Sequence, residues 1–549
     1  MGGALSAPGA PGSQPGPRPW ALAGGTPDDR PPWRHQGTLV LGLFAGAFIL
    51  LATFPLLHLL LALFVEGAEG LGLLFRARPW LLLGRSVTIA GATTVLALAI
   101  GVPLGLALGR FAIPGRRILL AVHLFGFFLP PFLPALGWFH LFGRGGYLGN
   151  AATSDVLFSP LGVVLVQGLC LAPAVTALVA VALGNLDPAL EEAALLVAQP
   201  GRVARRISLP LIRPAVTAGG LVVFTLALSE LGVPMFLRVD VFVAAVFARL
   251  GGIDFAPGEA VALCLPLLPL LAVILLVDRR LGGARVFAVV GPRTGPRPAL
   301  VLGGWGRLAV PAVFGVVVFS AIPLVVLAAR AAGPPAQIAT LLRWAGGAPG
   351  NSLLSAAAAA TFALAFGVVV GHAAARGQRV AWTVDAVAFL GFILPAAVLG
   401  VGLLGAYNRA ATQPIYGTLA IVVLAFVTRY TVVALRIAAT TFGQVPRDLE
   451  RAAEIAGASY GRRLLAIAAR LDARGLAAAW MATFVFGLRD LETAVLIYPP
   501  GSETLTVRIF TLEANGPPAI VAGLSVVHVL LTAAPFAAAA ILLAVRRRR

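Results

Sequence analysis

From residue 38 onward the chain alternates long apolar stretches with short connections rich in arginine, glycine and proline. The first stretch, Thr38 to Val65, runs for 28 residues without an Asp, Glu, Lys or Arg. At about 1.5 Å per residue, such a helix exceeds the roughly 30 Å hydrocarbon core of a bilayer. It starts too late and runs too long for a cleaved signal sequence, so the pattern predicts a membrane anchor. Further apolar segments follow at 82–109, 118–142, 161–183, 214–238 and 258–277. A second set lies at 307–329, 352–375, 381–407, 417–437, 472–497 and 517–545. Twelve spans are predicted in all. Several carry internal proline or glycine, as in FFLPPFLPALGW at 127–138, which membrane helices tolerate because neighbours re-satisfy the freed backbone groups. Residues 1–36 are rich in Pro, Gly, Ser and Ala and predict a disordered tail.

Composition agrees with this pattern. Of 549 residues, 59% are hydrophobic and 11% charged, against about 25% charged in soluble domains. That shortage excludes a soluble enzyme and a disordered chain. The net charge of +19 comes entirely from arginine, because the sequence contains no lysine. A nucleic-acid binder would cluster its basic charge on a polar chain, so the charge is read as a positive-inside signal and no nucleic-acid partner is expected. Cys170 and Cys264 sit in apolar runs and are expected to pack in the membrane.

The chain echoes itself. LLGRSVTIAGATTVLALAIGVPLGLALGR from Leu82 resembles NSLLSAAAAATFALAFGVVVGHAAARG from Asn351. FGFFLP at 125–130 matches LGFILP at 390–395, and FTLALSEL at 224–231 matches FVFGLRDL at 484–491. Six spans per copy is an even number, so both copies share one orientation, as in parallel repeats about an axis along the membrane normal. The expected fold is an all-α membrane protein of about twelve transmembrane helices in two parallel six-helix repeats. The tail would be followed by a first half at 37–278, a linker at 279–306 and a second half at 307–549. Arginines fall on one side if the spans alternate: Arg18, Arg30 and Arg34; Arg110, Arg116 and Arg117; Arg202, Arg205, Arg206 and Arg213; Arg279 to Arg307; and Arg546–Arg549. Both termini are therefore expected in the cytoplasm.

The loop between the fourth and fifth spans reads LDPALEEAALLVAQPGRVARRISLPLIRP from Leu186, and its counterpart reads VPRDLERAAEIAGASYGRRLLAIAARLDARG from Val445. Each is a helical pattern with acid at the front, a small-residue break and arginine further on. A helix, a break and a second helix would form a knob for a soluble partner, with Ala193, Ala194, Ala452, Ala453 and Gly457 small enough for close approach. Here the chain resembles the permease subunits of ATP-binding-cassette (ABC) importers, whose signature is Glu-Ala-Ala, three residues, Gly, then about nine residues to Ile-x-Leu-Pro. In the first copy Glu192-Ala193-Ala194 (after Glu191) and Ile207-Ser208-Leu209-Pro210 match, with Ala198 in the glycine's place. In the second, Ala452-Ala453, Gly457-Ala458-Ser459 and Ile467 match, while Arg451 replaces the glutamate that Glu450 carries one residue earlier. The generic alternative is a basic amphipathic surface helix.

Two fused six-span permeases are similar to the ferric-iron importer class, with thiamine, aminoethylphosphonate and polyamine importers as alternatives. Pro500-Gly501-Ser502-Glu503-Thr504-Leu505 resembles a ferric-iron-class stretch, although Leu491-Glu492-Thr493-Ala494 departs from it. The resemblance implies a type I importer permease in the bacterial inner membrane. Its partners would be a homodimeric cytoplasmic ABC ATPase, which uses the ATP and magnesium, and a periplasmic substrate-binding protein. A chain without lysine cannot hold the lysine of a phosphate-binding P-loop, so no cofactor and no enzyme activity are expected in this subunit. An ion-gradient-driven carrier with six-plus-six repeats is the rival reading.

Glu230 and Asp490 hold equivalent places in the repeat, each in an apolar segment. Intramembrane acids are costly and mark either a pathway or an interior pairing. Glu230, 16 residues beyond Pro214, lies roughly 24 Å along a helix, near the outer edge of the core. Arg489 and Glu492 are further pathway candidates, or a pair on one helix face. His58, His123, His140, His372 and His528 lie in or near spans, His35 lies in the tail, and none shows metal-ligand spacing. No metal site and no catalytic set is expected.

Overall fold

A computed structural model describes residues 33–186, 188–251, 257–280, 306–333 and 336–548. The expected tail through residue 32 and most of the expected linker lie outside the described residues. Trp33–Gln36, read as tail, already belong to a helix that spans Trp33–Leu71. The described chain is all-helical. Eight helices are long and apolar enough to cross a membrane, and up to twelve spans result if four sharply bent helix pairs each count as one.

Those bends correct the picture of straight spans at 118–142 and 381–407. Arg116–Phe127 and Phe132–Phe142 meet at 100°, and Arg379–Ile393 and Ala396–Tyr407 at 106°. Pro130, Pro131 and Pro395 stand at these corners, where a missing N–H and the ring's steric demand stop the preceding helix. The expected spans at 214–238 and 472–497 are also shorter than read. Arg213–Ser229 and Ala473–Arg489 stop at an acidic residue, and only short helices follow, Gly232–Phe236 and Ala494–Ile497.

Elements recur in matching order. Ala77–Arg110 packs along Pro160–Gly184, and Ala348–Ala375 packs along Ala420–Gly443. In both pairs the first helix brings two glycines, four residues apart, against its partner's backbone. Gly101 and Gly105 face Val175 and Val179, and Gly367 and Gly371 face Ala434 to Ala439. Small residues at that spacing let membrane helices approach closely. A Cβ on Gly371 would lie 2.9 Å from the Leu435 carbonyl oxygen and the Ala439 nitrogen. Gly371→Leu is therefore expected to cost about 1–3 kcal/mol or more through overpacking, read as a lower thermal midpoint in detergent. An unchanged midpoint would mean the two helices are not held together here.

Ser86 accepts the Phe242 backbone N–H at 2.8 Å and Ser352 accepts that of Leu505 at 2.7 Å, each tying a long helix to the start of a late one. The first helix of each run crosses to the other. Phe44 and Phe48 of Trp33–Leu71 pack on Phe366, and Phe54 packs on Tyr407. Phe319 of Gly306–Ala331 packs on Trp138. Ala420–Gly443 is the central element, 83% buried in its most apolar window, whereas Gly37–Leu59 and Arg307–Ala331 are 28% buried and present their remaining surface outward. Cys170 and Cys264 are free thiols, buried among these helices.

Candidate functional site

The two acids singled out in the sequence sit where their helices break. Glu230 follows Arg213–Ser229 and Asp490 follows Ala473–Arg489, both with extended backbone. Each carboxylate accepts the backbone N–H three residues on: Glu230 Oε1 from Val233 at 3.2 Å, and Asp490 Oδ1 from Thr493 at 2.8 Å. A carboxylate at this point satisfies a donor that the interrupted helix leaves orphaned. The acids thus have a local structural role in addition to any pathway role.

Around them the fold assembles a buried charge cluster. Arg429, from the central helix, donates from Nη2 to Glu492 at 2.8 Å and from Nη1 to the Thr493 hydroxyl at 2.7 Å, with Asp490 at 3.4 Å. Tyr430 donates its hydroxyl to Asp490 Oδ2 at 2.5 Å, and Thr493 donates to the same oxygen at 2.8 Å. Glu230 and Glu492 line the same small cavity. Arg489 does not pair with Glu492 as a helix-face neighbour, because the helix ends at Arg489 and Glu492 falls beyond the break. Its guanidinium instead donates to the Phe127 carbonyl oxygen and stacks over the Phe127 and Phe486 rings.

The cluster walls a cavity of about 30 Å³, bounded also by Pro130, Pro131 and Phe132 from the first proline corner. That space holds one or two waters at most. The four sequence candidates, Glu230, Arg489, Asp490 and Glu492, are therefore brought together around one small cavity, in an arrangement whose charges largely satisfy one another. Arg429, Tyr430 and Thr493 were missed in the sequence. An arginine inside the apolar run at 417–437 was the available signal, since intramembrane charge is rare without a partner. Among the described residues no group of three His, Cys, Asp or Glu side chains could hold a metal ion.

The second candidate site comprises the two matched loops. In the first, Pro188–Leu195 is followed by an irregular turn, then Pro200–Val203, a wide π-turn over Ala204–Ser208, and Leu209–Leu211, before a 66° bend into Arg213–Ser229. In the second, Arg447–Ile455 leads through Gly457 to Tyr460–Arg462, a π-turn over Arg463–Ala468 and an 86° bend. Glu192, Ala193, Ala452 and Gly457 are exposed, and Ala194, Ala198, Leu209, Pro210, Ala453 and Ala458 half-buried. Glu191 lies in the first loop helix, its side chain outside the described residues. The small residues Ala193 and Ala452 thus face outward instead of packing within the chain. Beside them Leu196, Val197 and Ile455 are 85–88% exposed.

Gly457 has φ +81°, and the turn is closed by Gly457 and Ala458 donating to the Glu454 and Ala453 carbonyls. Ala198, expected in the glycine's place, makes its turn without the left-handed conformation. Gly457→Val is expected to cost roughly 1–2 kcal/mol of local strain and to raise amide exchange across the second loop, whereas Ala198→Val should not. Equal exchange in both variants would remove the conformational distinction between the loops.

Glu450 is buried and anchors the second loop. It takes a hydrogen bond from Arg376 and pairs with His372 Nε2 at 2.9 Å, while Tyr460 reaches the other ring nitrogen at 3.5 Å. Burial alone would raise this carboxyl, but the hydrogen bonds and charges of His372 and Arg376 outweigh it and hold the group at about 2. His372 is therefore part of the hydrogen-bonded network that holds this loop. Arg451 is exposed, with Asp448 at 3.5 Å.

No family model matches the chain. It is 35% identical over 151 residues to the molybdenum transport system permease protein ModB of Mycobacterium tuberculosis, a match covering 27% of this chain and 57% of that protein. It is 33% identical over 154 residues to a molybdenum ABC transporter permease of Haloferax volcanii, 28% of this chain and 56% of the relative. A 2-aminoethylphosphonate transport system permease, PhnV of Salmonella paratyphi A, is 30% identical over 175 residues, 32% of this chain and 66% of the relative. The matched stretch spans little more than half the length of the first two relatives. These relatives are transport-system permeases, and the likeness, with the many apolar helices, supports an integral membrane protein.

Proposed function

We propose that the chain is the translocation subunit of a binding-protein-dependent ABC importer, built as two parallel permease halves in one polypeptide. The observation that carries this reading is the pair of matched loops, each a helix, a turn and a π-turned helix bent into a span, with Leu196, Val197 and Ile455 almost fully exposed. An apolar knob in that position suits a soluble partner's cleft. The partners would be a cytoplasmic ATPase dimer that supplies ATP hydrolysis with magnesium and a periplasmic binding protein, with both termini of the chain cytoplasmic. Glu230, Arg429, Arg489, Asp490 and Glu492 would line the pathway and close it in this state.

For the substrate, the likeness of residues 500–505 to the ferric-iron class supports ferric iron. Gly501, at φ +78°, shapes a turn there, and Thr504 caps the helix Leu505–Glu513. The names of the relatives, for molybdenum, aminoethylphosphonate and sulfate transport, support a small anionic, oxygen-rich solute as a second reading. Screening the cognate binding protein against ferric iron, molybdate, sulfate and phosphonates separates the two. The function itself is tested by co-purification with an ATPase and by ATP-driven uptake, before and after the double change Glu192→Arg and Gly457→Arg. Loss of assembly is expected; intact assembly and uptake would remove the loops from the coupling role, and uptake driven by an ion gradient alone would favour a secondary carrier.

A further inference from the structure

Apart from the cluster around Arg429 and the Glu450 network, the structure holds a further buried charge group. Arg436, on the central helix, is 1% exposed. Its Nε and Nη2 donate to the two oxygens of Asp385 at 2.8 and 3.0 Å, and its Nη1 and Nη2 donate to those of Asp278 at 3.0 and 2.8 Å. The guanidinium also lies over the Phe389 ring, 4.4 Å from its centroid. Two bidentate forks on one arginine fix its position and plane together. Replacing a buried ion group by packed apolar residues is often neutral or stabilising, so what this group adds is the geometry it enforces.

What it joins is informative. Asp278 lies at the end of Leu267–Arg280, the last described helix before residue 281. Asp385 lies on Arg379–Ile393. Arg436 precedes by seven residues the end of Ala420–Gly443, which leads through Gln444 to Pro446 into the loop helix Arg447–Ile455. Arg436 thus ties the helix that leads into the second loop to Asp278, at the end of the expected first half.

We propose that Asp278, Arg436 and Asp385 form an inter-half latch, with Arg436 as a positioning residue that holds the two coupling loops at one separation. The proposal rests on the two-half importer reading for its meaning in transport. Its first test needs no ATPase, so the two can fail separately.

The test is a spin-label distance between Leu196→Cys and Ile455→Cys in the purified full chain, both positions being exposed and the native Cys170 and Cys264 buried. The parent chain should give one narrow distance population. Asp278→Asn, which leaves the Arg436–Asp385 pair intact, should at least double the width of that distribution with little change in thermal midpoint. A structural role alone would move the midpoint and not the distance. The triple change Asp278→Asn, Asp385→Asn and Arg436→Met, which removes all three charges, should broaden it equally, while Asp448→Asn in the exposed part of the loop should not. Unchanged widths in both latch variants, or failure of both to fold, would overturn the latch. A broadened distribution without ATP-driven uptake in the parent chain would uphold it and count against the importer reading.

Discussion

Arg429→Met is expected to be the most damaging single substitution in the spanning region, lowering stability by about 3–5 kcal/mol and abolishing uptake. The guanidinium is 4% exposed at its side chain and is the described charge partner of both Asp490 and Glu492. Removing it leaves the buried carboxylates of Asp490 and Glu492 without that cation, and breaking a buried pair from one side costs that much because the remaining charge has no compensation. The paired change Arg429→Met with Glu492→Gln should recover a good part of the loss, since Asp490 keeps Tyr430, Thr493 and a backbone N–H. Thermal unfolding of purified protein and uptake in proteoliposomes read the two effects. A loss below about 1 kcal/mol, the range of exposed ion pairs, would mean that water fills the cluster and that it does not seal the pathway.

Glu450→Gln should uncouple the second loop from the Ala348–Ala375 helix. The carboxyl lies well below its ordinary value, so its contribution is fully present above about pH 4.5 and is lost as pH falls toward about 2. The contribution is on the order of 1–3 kcal/mol once partial solvent screening is allowed for. Between pH 6 and pH 3 the parent chain should lose stability that the glutamine variant has already lost, so their thermal midpoints should converge on acidification. Parallel curves over that range would show that Glu450 is not ionised against His372 and Arg376. At neutral pH the variant should retain the substrate pathway and lose much of its ATP-driven uptake.

Much of this protein was legible in its residues. Hydrophobic run lengths located the long helices, because a bilayer leaves few alternatives to a continuous helix of that length. The paired loops and the acids at Glu230 and Asp490 were visible as recurrences at similar spacing. The proline corners were less legible. Pro130, Pro131 and Pro395 were seen as tolerated interruptions, whereas packing turned them into right-angle bends. Arg489 and Glu492 were readable as a pair only if the helix continued, and it stops between them.

By itself, the sequence determined that the chain is built of many membrane-length apolar segments and that it has no lysine to serve a phosphate-binding P-loop, while the doubled helix-and-loop pattern was an expectation. These follow from local composition and periodicity. Only the tertiary structure decided which charges meet. Arg429 finds acids 61 and 63 residues away, Arg436 finds Asp278 across 158 residues, and Glu450 finds His372 across 78. In a low-dielectric interior each buried charge needs a partner at hydrogen-bonding distance. Helix packing, which has no signature in the spacing of these residues, chose the partners.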